Sequence, residues 1–567
     1  MSGRSGWSSR FRAVPSVVLG VILGAGFGGC AAGKPAPAIG DGGTGPVDTT
    51  LFRCTGNTTC RGGAPSSVYV CDASHNPGAL LMTCDGDQVC SLGRCVSQAC
   101  ADGELSASIT GCLFYFTILD NVTSDDGKPT LIVVTNPSPS PATVTLQQRS
   151  APGTWTDSAP IIVAVGSAGS FSVVKTPLEA SGSDAGPDDP PAARRVVSDT
   201  PVTVMMVESD DADMRATDSR ATGTWATSSS GTMVLPAHSL GMKYMTMSYQ
   251  QVETAKIDAT PGSRGGAAEL AVIATQDRTT LWVYAPSLPP MAMPTPVTLE
   301  HDGDVYQLFS SSNLNTQAGT LIASDQRVAV FSGNVTTTYG QNVNGLNSPD
   351  MAMEQMVPTG SWSESYVAAV LQPQANTCDS IFPAGVGSYW QVIAAEDGDV
   401  SFTQAPGKSM PGFPITKTHQ SKGALYQYWI PGGDDFMVTG TVPILVTQGM
   451  DCEPTLSAAI STEAPMDVQL FTLAPNFDHM LAIVRKTDGL TPVMLDGNDI
   501  SAHFSPVVNN VEVAHVAVPP CYGTVDQCVH TITGAWGMSL RGMDTSSSYA
   551  TTFPSWVDCV GDSCTRY

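Results

Sequence analysis

The sequence predicts an all-β protein: repeated antiparallel β units, built as tandem sandwiches or a propeller-like array, behind a small disulfide-rich module. Three observations carry that expectation. Short runs rich in Val, Ile, Thr, Tyr and Phe recur along the chain, bounded by Gly, Asp, Asn or Ser, which is the texture of strands joined by tight turns. Two separated patterns repeat at one spacing: Ile273-Ala274 and Asp277 return 120 positions later as Ile393-Ala394 and Asp397, and Gly303 with Tyr306-Gln307 returns as Gly423 with Tyr426-Gln427. Eight cysteines crowd residues 54–112, with too few large apolar neighbours to pack a core without cross-links.

The strand texture is clearest over 269–334. Leu270-Ala-Val-Ile-Ala-Thr-Gln-Asp-Arg-Thr-Thr-Leu-Trp-Val-Tyr284 holds two apolar runs around a polar break, and Gly303-Asp-Val-Tyr-Gln-Leu-Phe309 adds a third. A length of 567 residues with 42% hydrophobic content suits several cores, about three to four domains by length. Only 14% of residues are charged, with 55 Gly and 41 Pro, which fits extracellular β architecture.

Residues 1–29 read as an export signal. Arg4, Arg10 and Arg12 precede the uncharged run Ser16 to Phe27, which ends in small residues at Gly28-Gly29-Cys30. That run is short for a bilayer span, so cleavage is expected. Small residues before a cysteine resemble a bacterial lipobox, with Cys30 as the acylated first residue; Phe27-Gly28 departs from the usual Leu-Ala or Leu-Ser, and ordinary secretory cleavage is the alternative. Lipid on Cys30 makes the membrane a partner. The expected address is a bacterial cell envelope, at the outer membrane or cell surface, with secretion as the alternative.

Fifteen cysteines leave fourteen once Cys30 is set aside, an even number suited to an oxidising compartment. Eight are Cys54, Cys60, Cys71, Cys84, Cys90, Cys95, Cys100 and Cys112; six are Cys378, Cys452, Cys521, Cys528, Cys559 and Cys564. All fourteen are expected in disulfides. Zinc is disfavoured in the first group by the export signal, the lack of a Cys-x-x-Cys pair, and a single nearby histidine, His75. The pairing of the first eight is open. In the second group Cys521 and Cys528 suit one hairpin and Cys559 and Cys564 a terminal loop, which leaves Cys378 and Cys452 for each other.

The formal charge is −25, and removal of three arginines with residues 1–29 leaves 23 basic against 51 acidic residues, or −28. So acidic a surface repels nucleic acid and anionic lipid. Nucleic acid is therefore not an expected partner.

In order, residues 30–50 form the lipidated start and a flexible tether, and 51–112 the cysteine-rich module. Residues 113–545 form the β-repeat domain, with units near 113–232, 233–355, 356–466 and 467–545, and 546–567 a stapled tail. Arg195-Val-Val-Ser-Asp-Thr-Pro-Val-Thr-Val-Met-Met206 parallels Leu321-Ile-Ala-Ser-Asp-Gln-Arg-Val-Ala-Val-Phe331. In both, Ser-Asp separates two apolar runs, where Asp can close a turn. Leu235-Pro236, Ser239-Leu240 and Tyr244 return 122 positions on as Val357-Pro358, Ser361-Trp362 and Tyr366.

Those motifs, with Ile273-Ala-Thr-Gln-Asp-Arg-Thr-Thr280, Ile322-Ala-Ser-Asp-Gln-Arg-Val-Ala-Val-Phe-Ser-Gly-Asn334 and Glu354-Gln-Met-Val-Pro358, resemble the IgGFc-binding protein N-terminal domain over roughly residues 111–545. That domain is named after a large mucus-associated animal glycoprotein and occurs in bacterial exported proteins and lipoproteins. The resemblance implies an extracellular binding or matrix-associated module. It carries no Fc-contact motif onto these positions.

Catalytic patterns are missing from the sequence: no Gly-x-Ser-x-Gly, no His-Glu-x-x-His and no phosphate-binding Gly-x-x-x-x-Gly-Lys followed by Ser or Thr. His238, His479 and His515 sit in or beside strand-like runs and read as structural. Acidic pairs occur at Asp125-Asp126, Asp210-Asp211 with Asp213, Asp302 with Asp304, Asp397 with Asp399, and Asp434-Asp435. A glycosidase needs two carboxylates across a cleft, and Asp-Gly-Asp reads as a hairpin turn ahead of a calcium loop. Trp282, Trp362, Trp390 and Trp429 read as packing residues ahead of a sugar platform. No catalytic residue, metal or cofactor is expected. The expected function is binding of an extracellular protein or glycan, or adhesion; a polysaccharide hydrolase and a structural envelope protein are the alternatives.

Overall fold

Strand is what the charge-poor, β-branched runs become. In the computed structural model the described residues run from 58 to 565, apart from 62–63, 72–76, 105–107, 120–128, 175–185, 188–192, 209–229, 250–267, 286–294, 311–315, 338–349, 372–386, 409–417, 432–433, 451–454, 464, 467–468, 488–490, 509, 544–547, 554–557 and 561–562. Among them there is one α-helix, Gln98–Gly103. Cys30, Cys54, Cys378, Cys452 and the acidic pairs at 125–126 and 210–213 lie outside the described residues.

Each of the first three units is organised by one long strand: Arg194–Glu208, Leu321–Thr337 and Phe436–Met450. Its two halves carry different partner strands within one eight-stranded sheet per unit. In the first unit the leading half pairs with Gly111–Phe116 and with Ala142–Ala151, which pairs in turn with Ile161–Val163. The trailing half pairs with Ser230–Val234 and with Pro129–Thr135, which pairs with Ala168–Val174. The second unit repeats this plan with Gly241–Met245, Thr279–Tyr284 and Val297–Leu299 on one half, and Asp350–Gln355, Ala268–Ala274 and Val305–Phe309 on the other. The third does so with Ser363–Ala368, Gly398–Gln404 and Thr418–Gln420, then Leu456–Ala458, Gly387–Ala394 and Leu425–Pro431. Every one of these pairings is antiparallel.

The fourth unit keeps the plan but breaks the long strand at Gly534 (φ +77°) into Val529–Thr533 and Gly537–Met543. The first piece pairs with Leu470–Thr472 and Met494–Leu495, the second with Asp478–Lys486 and Ser548–Phe553. Ser548–Phe553 thus completes the last sheet, with Tyr549 and Phe553 buried, although the sequence reading placed residues from 546 onward in the tail. Its apolar side chains supply the burial that a tail would lack.

The spacing seen in the sequence is a spacing of hydrogen bonds. Asp277 Oδ1 accepts from the Asp302 amide at 2.8 Å, and 120 positions on Asp397 Oδ1 accepts from the Lys422 amide at 2.7 Å. Tyr244 OH accepts from the Gly241 amide at 2.7 Å; 122 positions on, Tyr366 OH accepts from that of Ser363 at 3.0 Å. The Ser-Asp pairs differ from expectation. Ser198-Asp199 and Ser324-Asp325 lie inside continuous strands, at the irregularity where each long strand changes from one set of partner strands to the other. Ser198 Oγ and Ser324 Oγ donate to the carbonyls of Thr200 and Gln326, both at 2.6 Å. The aspartates accept from the adjacent strand, at Thr143 N (2.8 Å) and Thr280 N (2.7 Å). A side chain that satisfies backbone groups locally lets a strand bend without ending.

A late strand of each unit lies innermost. Ser230–Val234 packs against Asp350–Gln355 and Ser548–Phe553, and Leu456–Ala458 packs against the same two, so the four close a ring. The units therefore stand in a closed, propeller-like array. Their cores run through the seams. One cluster joins residues of the fourth, first and second units, including Phe477, Phe114 and Phe331. Another joins the second and third around Trp362 and Leu445, and a third joins the third and fourth around Met437 and Val484. Burial of this kind, worth about 25 cal/mol per Å², ties each unit to its neighbours.

The N-terminal module is a three-stranded sheet (Thr58–Arg61, Ala64–Cys71, Pro77–Thr83), a small hairpin (Val89–Ser91, Arg94–Val96) and the helix. Disulfides join Cys60 to Cys90, Cys84 to Cys95 and Cys100 to Cys112, and Cys71 is also disulfide-bonded. The Cys100–Cys112 bond fastens the helix to the first strand of the first unit. At the other end Cys521 is bonded to Cys528 around a 3₁₀ turn, Val525–Gln527, and Cys559 stands opposite Cys564 in a two-stranded ladder.

Candidate functional site

The polar side chains with most chemistry collect in the seams between units. The most developed cluster lies between the first and second. Its second-unit half is the turn His301-Asp302-Gly303-Asp304, which leads into Val305–Phe309. Gly303 has φ +84°, and a Cβ there would stand 2.4 Å from Trp155 and 3.1 Å from Arg149. Only glycine gives both the left-handed backbone and the close approach. Asp304 Oδ1 binds the buried Arg149 Nη2 at 2.5 Å, and Arg149 Nη1 donates to the Asp302 carbonyl at 3.0 Å. Asp302 Oδ2 accepts from Arg195 Nη1 at 2.6 Å and from Trp155 Nε1 at 3.2 Å. Arg195 also lies 4.2 Å over the Trp155 ring, a cation–π contact worth up to about 2 kcal/mol when desolvated. Burial pushes the Asp302 carboxyl up, while Arg195 and the hydrogen bonds from Tyr115 and Trp155 pull it down.

The Asp302/Asp304 pair is thus a turn clasped by two arginines of the neighbouring unit. Asp397 and Asp399 occupy a different place, the turn between Gly387–Ala394 and Gly398–Gln404, where Asp399 Oδ1 meets the exposed His419 at 3.2 Å. Asp434 pairs with Lys408 at 2.7 Å. Asp435 crosses the seam to His515 Nε2 at 2.9 Å and accepts from the Val370 amide at 2.8 Å. Asp399, Asp434 and Asp435 each have a basic side chain as partner, whereas Asp397 accepts from the Lys422 amide; among the described residues no three or more His, Cys, Asp or Glu converge as metal ligands would.

The ring of inner strands is held by polar contacts as well. Thr232 Oγ1 donates to Glu354 Oε1 at 3.2 Å, Met233 N donates to Thr551 Oγ1 at 2.9 Å, and Ser457 Oγ lies 2.8 Å from Thr552 Oγ1. Burial pushes the Glu354 carboxyl well above its ordinary range, against a smaller pull from the Thr232 hydrogen bond. Gly231 and Gly542 lie so close to the Tyr549 ring that a Cβ on either would stand within 2.8 Å of it. Tyr549 OH accepts from the Ala474 amide at 3.0 Å and lies 3.0 Å from His479 Nε2. Burial, with a smaller push from His530, lowers His479 to about 3.

His238 lies half-buried in the 3₁₀ turn Ala237–Ser239, beside Gly111. Trp362 and Trp390 are core residues: Trp362 Nε1 donates to the Val357 carbonyl at 3.1 Å, and Trp390 stacks edge-on against Phe436 at 5.0 Å. Trp282 is half-buried in its strand, and the side chain of Trp429 lies outside the described residues. A cavity of about 30 Å³ between Tyr366, Leu445, Ala459 and Thr552 has room for roughly one water. The sequence reading missed Arg149, Trp155, Tyr115, Glu354 and Tyr549. A tell-tale was available for one of them: Arg149, like Arg195, interrupts a strand run in a chain poor in basic residues.

A family model described as IgGFc binding protein matches residues 230–540. The chain belongs to the IgGFc-binding protein family. That match opens on the inner strand of the first unit and runs through the second and third units into Gly537–Met543 of the fourth. It is a binding-type family, and the residues that carried the resemblance in the sequence are those that build the seams: Pro236 lies against Gly111, and Pro358 against Gly241. No curated protein matches the chain. Among solved structures, the major pilin from Streptococcus pyogenes and a mutant of it are similar over 55% and 56% of this chain and 97% and 99% of theirs, at 7% and 8% identity. The TM-score of both is 0.13, and a likeness so slight carries no argument.

Proposed function

We propose that the chain is a non-catalytic binding or adhesion module of a bacterial cell envelope, held at the membrane by lipid on Cys30 and directed at an extracellular protein or glycan. Membership of the IgGFc-binding protein family supports a binding role. The observation that carries the non-catalytic part is the engagement of the paired acids: Asp302, Asp304, Asp434 and Asp435 each hold a basic side chain. A hydrolase would need a free pair of carboxylates facing a cleft.

Two experiments test the proposal. The immobilised chain is exposed to extracellular fluid and to separate panels of glycans and purified Fc; specific retention with no glycan turnover is the expected result, and turnover of any glycan overturns the non-catalytic reading. For the anchor, Cys30→Ser is expected to move the protein from the membrane fraction to the soluble one, and unchanged fractionation removes the lipid.

A further inference from the structure

Among the described residues, five of the nine exposed large apolar side chains belong to the small N-terminal module: Val70, Leu80, Leu81, Met82 and Leu92. Three of these are consecutive in Pro77–Thr83, at the edge of the three-stranded sheet, where residues 78–83 are all exposed. Sheet edges are ordinarily protected by charged side chains or by a covering segment. Here neither Pro77–Thr83 nor its neighbour Ala64–Cys71 contains a charged residue, and no described strand pairs with the outer side. A register shift leaves Leu81 without a partner between Leu80, opposite Tyr69, and Met82, opposite Val68. Cross-links flank the strand: Cys84 follows it directly and is bonded to Cys95, and Cys71 ends the neighbouring strand in a further disulfide.

Charge selects what covers this edge. The chain holds 51 acidic and 26 basic residues, so two copies meeting through most faces bring carboxylates together. The edge is apolar and neutral, and two copies of it meet without that repulsion. We propose that the chain self-associates here, with Leu80, Leu81 and Met82 of one copy packed on those of a second. So short a strand buries less than the roughly 1,200–2,000 Å² of a standard interface, so the dimer is weak and forms with rising concentration. Screening by salt strengthens it, because the acidic bodies still repel.

The test is sedimentation of the full chain carrying Cys30→Ser, over a concentration series at low and high salt. The expected result is a mass that climbs from monomer towards dimer with concentration, more steeply at high salt. Leu81→Lys is expected to hold the chain monomeric throughout, with an unchanged melting curve and no free thiols. Ile162→Lys, which changes an exposed apolar residue elsewhere, is expected to leave association intact. A chain that stays monomeric at every concentration overturns the proposal, as does association undiminished by Leu81→Lys, or equally diminished by Ile162→Lys.

Discussion

Asp302-Gly303-Asp304 and Asp397-Gly398-Asp399 are the same tripeptide in neighbouring units, yet they do different work. The first opens the strand Val305–Phe309 and projects into the seam, where Arg149 and Arg195 of the first unit hold it. The second joins two strands of one unit and ends at a hydrogen bond to His419, which is two-thirds exposed. Identical turn chemistry is thus structural glue in one place and a solvated hairpin in the other. The lesson is that local sequence sets the turn, and the neighbouring unit sets its energetic importance.

Replacing the glycines breaks this comparison most sharply. Gly303→Val is expected to cost the most, several kcal/mol, because it combines left-handed backbone strain with overlap on Trp155; chemical denaturation measures it. Asp304→Ala comes next. It strands the buried Arg149 guanidinium, and breaking such a pair costs roughly 3–5 kcal/mol. Asp399→Ala is the counterpart at the exposed turn and is expected to cost under about 1 kcal/mol. Equal losses for Asp304→Ala and Asp399→Ala would erase the distinction.

Acid–base behaviour sharpens the same contrast, since two buried groups, Glu354 and His479, carry pH slopes. Glu354 has a folded pKa raised above its unfolded value near 4.5, so the native state keeps a proton that the unfolded chain releases. Stability therefore falls as pH rises from about 4.5 through the folded pKa. Glu354→Gln is expected to remove that slope and to make the protein more stable than the parent at neutral pH, as read from melts across a pH series. His479 acts on the opposite limb. Its pKa drops from 6.5 unfolded to about 3 folded, so stability falls as pH drops from about 6.5 towards 3, and His479→Gln is expected to flatten that decline. Asp399→Ala leaves both slopes in place.

Much of this was legible because the repeats are built from local rules. Short β-branched runs, Asp-Gly turns and the Pro236/Pro358 and Tyr244/Tyr366 spacings each specify backbone within a few residues, and they mark the second and third units plainly. The fourth unit was harder to see because its long strand is interrupted at Gly534, and its last strand was read as tail. Ser-Asp was read as a turn, since nothing local reveals that Thr143 and Thr280 supply an amide to each aspartate. The arginine clasp was hidden for a similar reason: Arg149 lies more than 150 positions from Asp302, and no pattern of spacing links them.

The amino-acid sequence by itself determined the β class, the repeat length, the crowding of cysteines and the acidic charge, because each depends on residues near one another or on simple counts. The tertiary structure decided that the units close into a ring, that the inner strands Ser230–Val234 and Ser548–Phe553 meet although over 300 residues apart, and which acids are buried against arginine. Those outcomes follow from packing between distant segments, where burial and desolvation are set by what arrives from elsewhere in the chain.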